Sequence, residues 1–407
     1  MTDAVALPDA ARALAGRIVD ADTHEMIPVK YWVELFGPEC QELQDARANS
    51  PITDVEDRNT SNVPDYVADD AVITADIVNV KGARAPGAMA LDRRLDVMDA
   101  MGVARQLMFL TSVGLWAAFL LCAHEDKHFL SSIQGDRAGK AKVMIKAYNR
   151  WLATQARRSP RIVPVAPVFG DTLAELTETT EELLDAGIRA IWMPFGIAPG
   201  GQSPASRDLD AYWQMLVDND CVLTLHVGTE ETFLAPMGAF RDASAFQGYR
   251  RFGETSTDPW YLAHLHMPVQ SFLMTMIVGG TFVRHPSLRV LAAELGGYWV
   301  GPMMEAMDIW HQNFGRYAKH GEALKVLPST FVRSNVRVTP FGFENIAGYI
   351  EHYGIEDVYC FSTDYPHVEG GKDSFRKTFA NLERLGPDIV EKFFVTNGDF
   401  VLPARAR

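Results

Sequence analysis

Eight short apolar runs alternate with segments of helical periodicity along the whole chain, and this alternation restricts the fold more than any other feature. Alternating strands and helices form a parallel sheet whose crossover connections are the helices. Eight such units predict an α/β fold of the (β/α)8 TIM-barrel type, with the active site at the C-terminal ends of the strands. A doubly wound open sheet is the alternative, but no G-x-G-x-x-G sequence follows an early strand. The predicted strands are 18–25, 105–110, 161–168, 190–194, 221–227, 288–295, 331–338 and 358–362.

No linker rich in proline, glycine or serine and no repeat of fixed period divides the 407 residues, so we predict a single domain, 1–407. The segment 34–91, after the first strand, is long and polar, and a structureless connection of this length is uncommon in a compact domain. It is therefore predicted to be an insertion that forms a cap, as a lid or an oligomer contact. A loop is expected over 233–253 and one helix over 262–278.

The charge balance restricts the possible partners. The chain has 52 acidic and 38 basic residues, a formal net charge of −14, and nucleic acid and anionic membrane both require a basic surface. We therefore expect a small-molecule substrate, no nucleic acid and no membrane. The four cysteines form no C-x-x-C pair, no secretory signal pattern opens the chain, and no apolar run reaches ~18 residues. A cytoplasmic location is expected.

The first predicted strand ends in polar residues at alternate positions. Side chains two apart on a strand point to the same side, so Asp20, Asp22 and His24 share one face. Carboxylates and an imidazole that converge at a strand end suit a divalent cation. The same stretch is equally compatible with a turn-forming aspartate and a capping threonine, so the later strands must decide between these interpretations.

The barrel rule selects five polar residues at C-terminal strand ends: Asp22, His24, His226, Glu294 and Asp364. Taken singly, His226 could be a core histidine and Asp364 could cap the turn before Pro366. Glu294 is harder to explain structurally, because a carboxylate in an apolar run is costly to bury without a cation or a hydrogen-bond partner. Together the five predict ligands for one divalent ion, or two.

Five motifs are spread from the first predicted strand to the last. They are DTH at 22–24, LHVG at 225–228, HPSLR at 285–289, ELGGYW at 294–299 and FSTDYPH at 361–367. Together they resemble the amidohydrolase superfamily, specifically the branch related to aminocarboxymuconate-semialdehyde decarboxylase, over nearly the whole chain outside 34–91. The resemblance implies a metal-bearing barrel, often a homodimer in this branch, with Asp22, His24, His226 and Asp364 at ligand positions. Mixed nitrogen and oxygen ligands suit zinc, manganese or iron.

Two features depart from that family pattern. The first strand carries Asp-x-His where many relatives have His-x-His or Glu-x-His, a change that preserves a metal ligand. On strand six, the decarboxylases of this branch have a histidine that polarises or protonates the substrate, and this chain has Glu294. A carboxylate there is expected to orient or deprotonate a metal-bound water, or to attract a second ion. Glu25, directly after His24, is either a further ligand or the start of the cap.

We therefore predict a metal-dependent hydrolase that uses activated water on an ester, thioester or amide-type acyl bond of a small or mid-sized organic acid derivative. Asp364 is expected to take the proton of the water and pass it to the leaving group, with Glu294 assisting. One alternative is non-oxidative, metal-dependent decarboxylation of an aromatic or unsaturated carboxylic acid. Another is an inactive barrel that serves as a binding protein.

Four further residues are candidates for substrate binding. His367 is expected to line the pocket or to orient Asp364. Arg93 is a candidate partner for a substrate carboxylate, with a solvated surface position as the alternative. Trp116 is a candidate pocket wall, with core packing as the alternative. His266 is a candidate substrate wall or a structural residue.

Overall fold

The protein is described from a computed structural model that covers residues 6–49, 72–249, 251–252, 255–317 and 324–404. Most of the predicted insertion over 34–91 is included, but its part over 50–71 lies outside the described residues. Residues 250 and 253–254, in the loop predicted over 233–253, also lie outside them.

The strands follow the predicted alternation. In the described residues they are β1 (Ile18–His24), β2 (Val103–Phe109), β3 (Ile162–Pro164), β4 (Ala166–Pro167), β5 (Ala190–Trp192), β6 (Val222–His226), β7 (Arg251–Phe252), β8 (Thr255–Ser256), β9 (Val290–Ala293) and β10 (Val336–Val338). Parallel pairing joins β1, β2 and β3 in one group and β4, β5, β6, β9 and β10 in another, in that spatial order. Val165 alone separates β3 from β4, so the two groups meet within one run of chain.

The last predicted strand, 358–362, joins the two ends of this series. Val338 of β10 donates its N–H to the Val358 carbonyl oxygen and accepts from the Cys360 N–H, both at 3.0 Å. On the other side, Ala21 of β1 donates to the Phe361 carbonyl oxygen at 3.0 Å. The predicted (β/α)8 barrel is confirmed, and the C-terminal ends of its strands lie at one end of the molecule.

Helices occupy the connections between the strands. In the described residues they are α1 (Trp32–Phe36), α2 (Gln41–Ala48), α3 (Leu91–Met101), α4 (Val113–Cys122), α5 (Arg137–Ala156), α6 (Leu173–Asp185), α7 (Asp210–Asp218), α8 (Glu230–Leu234), α9 (Gly238–Arg241), α10 (Pro259–His264), α11 (Met267–Val278), α12 (Thr281–Arg284), α13 (Val300–Phe314), α14 (Ser329–Asn335), α15 (Ile346–Tyr353), α16 (Ser374–Leu382), α17 (Pro387–Glu391) and α18 (Asn397–Phe400). No helix in this part of the chain is long and apolar enough to cross a bilayer.

The predicted strand 331–338 is wrong over its first part, where α14 forms instead and leaves only β10 as strand. A short apolar run fits a buried helix as well as a buried strand, so periodicity does not separate the two. Val332 packs in the core, and the Asn335 side chain donates to the carbonyl oxygens of Pro286 and Leu288, both at 2.9 Å. These contacts with the chain before β9 fix the end of the helix.

Two other predictions are also corrected. The helix expected over 262–278 is two helices, α10 and α11, and Pro268 in the first turn of α11 lacks the N–H that a continuous helix would use. The loop expected over 233–253 contains the short helix α9.

The part of the predicted insertion next to α3 folds over the C-terminal end of the barrel. We call residues 81–88 the capping segment. Gly82 donates its N–H to the Pro366 carbonyl oxygen at 2.7 Å, and the Tyr365 hydroxyl donates to the Pro86 carbonyl oxygen at 2.7 Å. The capping segment is therefore attached to the chain that follows the eighth strand.

Arg94 attaches the capping segment to β1 as well. This buried side chain donates to the Gly87 carbonyl oxygen at 2.8 Å and to the His24 carbonyl oxygen at 2.6 Å. Gly87 has a φ of +70°, and a Cβ atom there would lie 2.7 Å from the Cα atom of Arg94. Only glycine permits this approach without displacing one of the two backbones.

We expect Gly87→Ala to lower the free energy of unfolding by about 3 kcal/mol, because it combines left-handed backbone strain with steric overlap. Gly135→Ala is the matched control, since Gly135 has a φ of +78° but no atom within 4 Å of an added Cβ. The control should lose only about 1 kcal/mol in urea unfolding. Equal losses in the two variants would show that the approach of Arg94 does not constrain the capping segment.

Candidate metal centre

The five residues predicted at strand ends lie together in the folded protein. Asp22 and His24 are on β1, His226 is the last residue of β6, Glu294 follows β9, and Asp364 follows the eighth strand. All five are buried, and possible ligand atoms of Asp22, His24, His226 and Glu294 lie within 4.8 Å of one another. Ligand atoms of His24, Glu294 and Asp364 form a second, overlapping group that also includes His367. We call these six residues the metal cluster.

The backbone turns sharply at two of these residues. Glu294 has a φ of +55° and Asp364 has a φ of +51°, in the left-handed region that non-glycine residues rarely adopt. Glu294 is fixed there by an N–H bond to the Thr339 hydroxyl at 3.1 Å, and Asp364 by an N–H bond to the Asp22 carbonyl oxygen at 2.9 Å. Such strain persists where surrounding contacts impose it, and it is common at functional sites.

Several polar atoms face one another in the metal cluster without hydrogen bonds. The Asp22 Oδ1, His24 Nε2, His226 Nε2 and both Asp364 carboxylate oxygens are buried and have no hydrogen-bond partner among the described residues. His24 Nε2 lies 3.3 Å from Asp22 Oδ1 and 3.3 Å from Asp364 Oδ1, while His226 Nε2 lies 3.5 Å from Asp22 Oδ1 and 3.2 Å from Glu294 Oε2. Two ligands about 2.1 Å from one ion are themselves roughly 3 to 3.5 Å apart. The donor set therefore fits a divalent cation.

Hydrogen bonds at the opposite ring nitrogens orient the histidines. His226 Nδ1 lies 3.0 Å from the Val227 carbonyl oxygen, and His24 Nδ1 lies 3.1 Å from the Thr111 hydroxyl. A carbonyl oxygen only accepts, so His226 Nδ1 carries a proton, and in the neutral ring Nε2 presents a lone pair to the metal cluster. Such bonds fix the tautomer and the ring orientation of metal ligands.

His367, predicted to line the pocket, lies inside the cluster. Its ring stacks on the His24 ring with centroids 3.7 Å apart, and its Nδ1 is 3.3 Å from Asp364 Oδ1. The Thr111 hydroxyl is 2.7 Å from His367 Nε2, so this one hydroxyl bridges two imidazoles. The position of His367 suits it to hold Asp364 or to bind an ion itself.

Burial and neighbouring charges shift the pKa values in the metal cluster. Burial raises the pKa of Asp364 to about 7, against the opposing effect of His24. Burial lowers the pKa of His24 and of His367 to about 4. For Asp22 the effect of burial is outweighed by His226 and His24, which hold its pKa below the ordinary value. For His226 the effect of burial is outweighed by Asp22, which raises its pKa. Neutral imidazoles, the state that binds metals, are therefore favoured at His24 and His367.

Two carboxylates, one on β1 and one directly after it, face away from this centre. Asp20 accepts hydrogen bonds from the Thr363 N–H at 2.9 Å and the Thr363 hydroxyl at 2.6 Å, so it supports the chain before Asp364. Glu25 is not a ligand, because its Oε1 accepts from the N–H groups of Thr111 and Ser112, both at 2.9 Å. Glu25 instead fixes the turn that carries the Thr111 hydroxyl.

The remaining predicted substrate-binding residues lie outside the metal cluster. Arg93 is half-buried on α3, beside Arg94. Trp116 on α4 contacts the Arg47 guanidinium, which lies 3.6 Å from its ring centroid. His266 precedes α11, and its Nδ1 lies 3.0 Å from the Tyr298 hydroxyl. Their roles in substrate binding stay predictions.

The sequence analysis missed Lys81, the first residue of the capping segment. Its ammonium nitrogen is buried, and it lies close enough to Asp364 for the two charges to interact. A lone lysine in a long polar segment carries no periodic signal, and only the fold brings it to the barrel end.

The barrel and its metal cluster define a metal-dependent enzyme of the barrel type. A sequence model of the family described as amidohydrolase matches residues 117–398, more than half of the chain. The chain therefore belongs to the amidohydrolase family, which confirms the resemblance found in its motifs. No curated protein matches the sequence.

Solved structures share this fold at low sequence identity. An amidohydrolase from Mycobacterium avium subsp. paratuberculosis K-10 has 18% identity and a TM-score of 0.64, over 96% of this chain and 98% of that chain. A 5-carboxyvanillate decarboxylase from Novosphingobium aromaticivorans, complexed with manganese and 4-hydroxy-3-methoxy-5-nitrobenzoic acid, has 18% identity and a TM-score of 0.57, over 94% and 95%. A 2,6-dihydroxybenzoate decarboxylase from Rhizobium has 18% identity and a TM-score of 0.53, over 95% and 98%.

The pKa of Asp20 predicts a pH effect on stability. Burial raises this pKa to about 7, whereas an unfolded aspartate titrates near 4, so the folded state binds the extra proton between these values. The contribution of Asp20 is therefore fully present below about pH 4 and is lost as the pH rises through about 7.

The asparagine side chain of the Asp20→Asn variant cannot ionise, so this variant should not lose that stability as the pH rises. We compare the free energies of unfolding in urea of the metal-free proteins at about pH 4.5 and about pH 7.5. Relative to the wild type, the value for the variant should rise between these pH values by a few kcal/mol, roughly 1.4 per pH unit. Asp92→Asn, at an exposed carboxylate, is the control. Parallel pH dependences of Asp20→Asn and wild type would exclude the raised pKa.

Proposed function

We propose that this protein is a metal-dependent hydrolase that attacks an ester, thioester or amide-type acyl bond of a small or mid-sized organic acid derivative. The observation that carries this proposal is the Glu294 carboxylate, which lies in the metal cluster with its Oε2 3.2 Å from His226 Nε2. A second carboxylate in the same group as Asp364 suits the handling of water better than the protonation of carbon.

We assign the role of metal ligands to Asp22, His24, His226 and Asp364, with Glu294 and His367 adjacent. A divalent cation held there supplies Lewis-acid polarisation of the acyl carbonyl and acidifies the attacking water. Zinc, manganese and iron all suit this mixture of nitrogen and oxygen atoms.

The side chains of the protein handle the proton. Asp364 has two oxygens without hydrogen-bond partners in the described structure, so one can bind the cation while the other accepts the proton of the attacking water. Glu294, whose ligand atom lies within 4.8 Å of one from Asp364, orients the water. Asp364 then passes the proton to the leaving group, and His367, 3.3 Å from it, keeps its carboxylate in position.

Non-oxidative decarboxylation of an aromatic or unsaturated acid is the second candidate. It is supported by the two solved decarboxylases that share the fold, one of them complexed with manganese. In this reaction Asp364 would deliver a proton to the carbon that loses carbon dioxide. Glu294 weighs against it, because an ionised carboxylate has no proton to deliver.

Metal binding is tested by thermal unfolding of chelated protein with and without added Mn²⁺ or Zn²⁺. A ligand present at 100 times its dissociation constant stabilises the folded state by about 2.7 kcal/mol, so the melting temperature should rise by several degrees. Asp22→Asn and His226→Gln should abolish this rise, whereas the surface variant Asp92→Asn should keep it. A rise that persists in both cluster variants would locate the metal elsewhere.

The reaction is tested with a panel of acyl esters, thioesters and amides. Metal-loaded protein should hydrolyse one class, and chelation should abolish turnover. Glu294→Gln should lower kcat by roughly 100-fold while retaining the metal, because Asp364 loses the carboxylate that orients the water for general-base catalysis, which contributes about 10²- to 10⁴-fold. Glu351→Gln, at a surface carboxylate, should match the wild type.

Two outcomes would contradict the proposed reaction. Equal rates with loaded and chelated protein would end the metal mechanism. Release of carbon dioxide from hydroxybenzoates without any acyl hydrolysis would replace it by the second candidate.

A further inference from the structure

Lys81 is held between two anchors on the chain that follows the eighth strand. On one side, Gly82 donates its N–H to the Pro366 carbonyl oxygen at 2.7 Å. On the other side, the Asn79 amide nitrogen donates to Asp373 Oδ1 at 3.2 Å, and the Asn79 side-chain oxygen accepts from the Asp373 N–H at 2.8 Å. The backbone of Lys81 is therefore fixed against the end of the barrel.

The Lys81 ammonium group has unsatisfied hydrogen-bonding capacity. Its nitrogen is buried and has no hydrogen-bond acceptor among the described residues. The carboxylates of Asp364, Asp20 and Glu369 attract it, but the oxygens of Asp20 already accept from Thr363. Burying an ammonium whose three N–H donors lack acceptors is costly, so these donors require oxygen atoms from another source.

The positive charge of Lys81 restricts which group can supply oxygen atoms to its ammonium. A second metal ion next to an ammonium is disfavoured because like charges repel. A water molecule would satisfy a donor without using the charge. A carboxylate does both, because it supplies two acceptor oxygens and a charge-assisted hydrogen bond.

The carboxylates around Lys81 make its positive charge necessary for binding an anionic ligand. Asp22, Glu294 and Asp364 place three carboxylates at the barrel end, and they would repel a negatively charged molecule. A divalent cation would offset two of these three charges, and Lys81 offsets a further one, although Asp20 and Glu369 also lie near the ammonium. A carboxylate then meets much less repulsion at the metal cluster than it would without Lys81.

We propose that Lys81 binds a carboxylate of the substrate and holds it beside the metal cluster. This inference rests on the proposed function, because the anion belongs to the molecule that is transformed there. It narrows the substrate class to organic acid derivatives that carry a free carboxylate in addition to the bond attacked. Lys81 is thus a substrate-binding residue supplied by the capping segment.

The test is a binding experiment that needs no turnover. Acetate, butyrate, benzoate and 2-hydroxybenzoate are titrated by calorimetry into the manganese-loaded protein. The variants are Lys81→Met, which keeps the length and removes the charge, Lys81→Gln, which keeps a polar end, and Lys81→Arg, which keeps the charge. Lys146→Met is the matched control, since Lys146 is partly exposed on α5 and paired with Glu182.

We expect the tightest probe to bind at least about tenfold more weakly to Lys81→Met and Lys81→Gln, because a hydrogen bond between charged groups is lost. Lys81→Arg should remain within a few-fold of wild type, and Lys146→Met should be unchanged. Manganese content, measured on each protein, should not change, and the melting temperature should not fall, because the neutral variants lose a costly buried charge. If Lys81→Met does not fold, the glutamine variant gives the result.

Three results would overturn the inference. These are unchanged affinity in both neutral variants, no binding of any probe to wild type, and loss of manganese from the neutral variants. The last result would make Lys81 a counter-ion of the metal cluster. If carboxylates bind through Lys81 but no acyl bond is hydrolysed, the proposed reaction fails and this inference stands.

Discussion

Repulsion among carboxylates at the end of the barrel is the constraint on which the rest of the structure depends. Asp22, Glu294 and Asp364 meet in one buried cluster, where low polarity strengthens the interaction of like charges. A proton on Asp364 relieves the repulsion, and its pKa, raised to about 7 by burial, reflects that response. A divalent cation relieves it without protonating any carboxylate. The unpaired ligand atoms and the raised pKa of Asp364 therefore both follow from the collection of these groups in one buried site.

The capping segment also offsets this carboxylate repulsion, with a positive charge supplied from outside the barrel. The bond between Gly82 and Pro366 brings Lys81 to the side of the cluster where Asp364 lies. Arg94 ties the other end of the segment to the backbone of His24. In the proposed function the barrel residues carry the reaction, while a segment without regular strand or helix supplies the positive charge that we propose meets the substrate. This division is common in barrels, whose loops vary while the strands persist.

The sequence predicted those parts of the centre that follow from periodicity. Alternating strands and helices implied the barrel, and the barrel placed Asp22, His226 and Glu294 at one end. The sequence pattern did not predict the position of Lys81. Contacts between residues nearly 300 positions apart, such as Asn79 with Asp373, bring it to the barrel end, and they leave no local pattern. The sequence also could not show that the Glu25 side chain faces away from the metal cluster. Its direction depends on hydrogen bonds from the N–H groups of the turn before α4.

Glu294 is the residue that distinguishes the two proposed reactions, hydrolysis and decarboxylation. An imidazole in its place could exist with or without a proton near neutral pH, whereas a carboxylate beside a cation is held ionised. An ionised carboxylate accepts hydrogen bonds and protons, so it is suited to water and not to protonating carbon. The backbone at Glu294 adopts a φ of +55°, which holds the carboxylate toward His226 despite the strain. We therefore connect that strain with the proposed function of Glu294 in directing water.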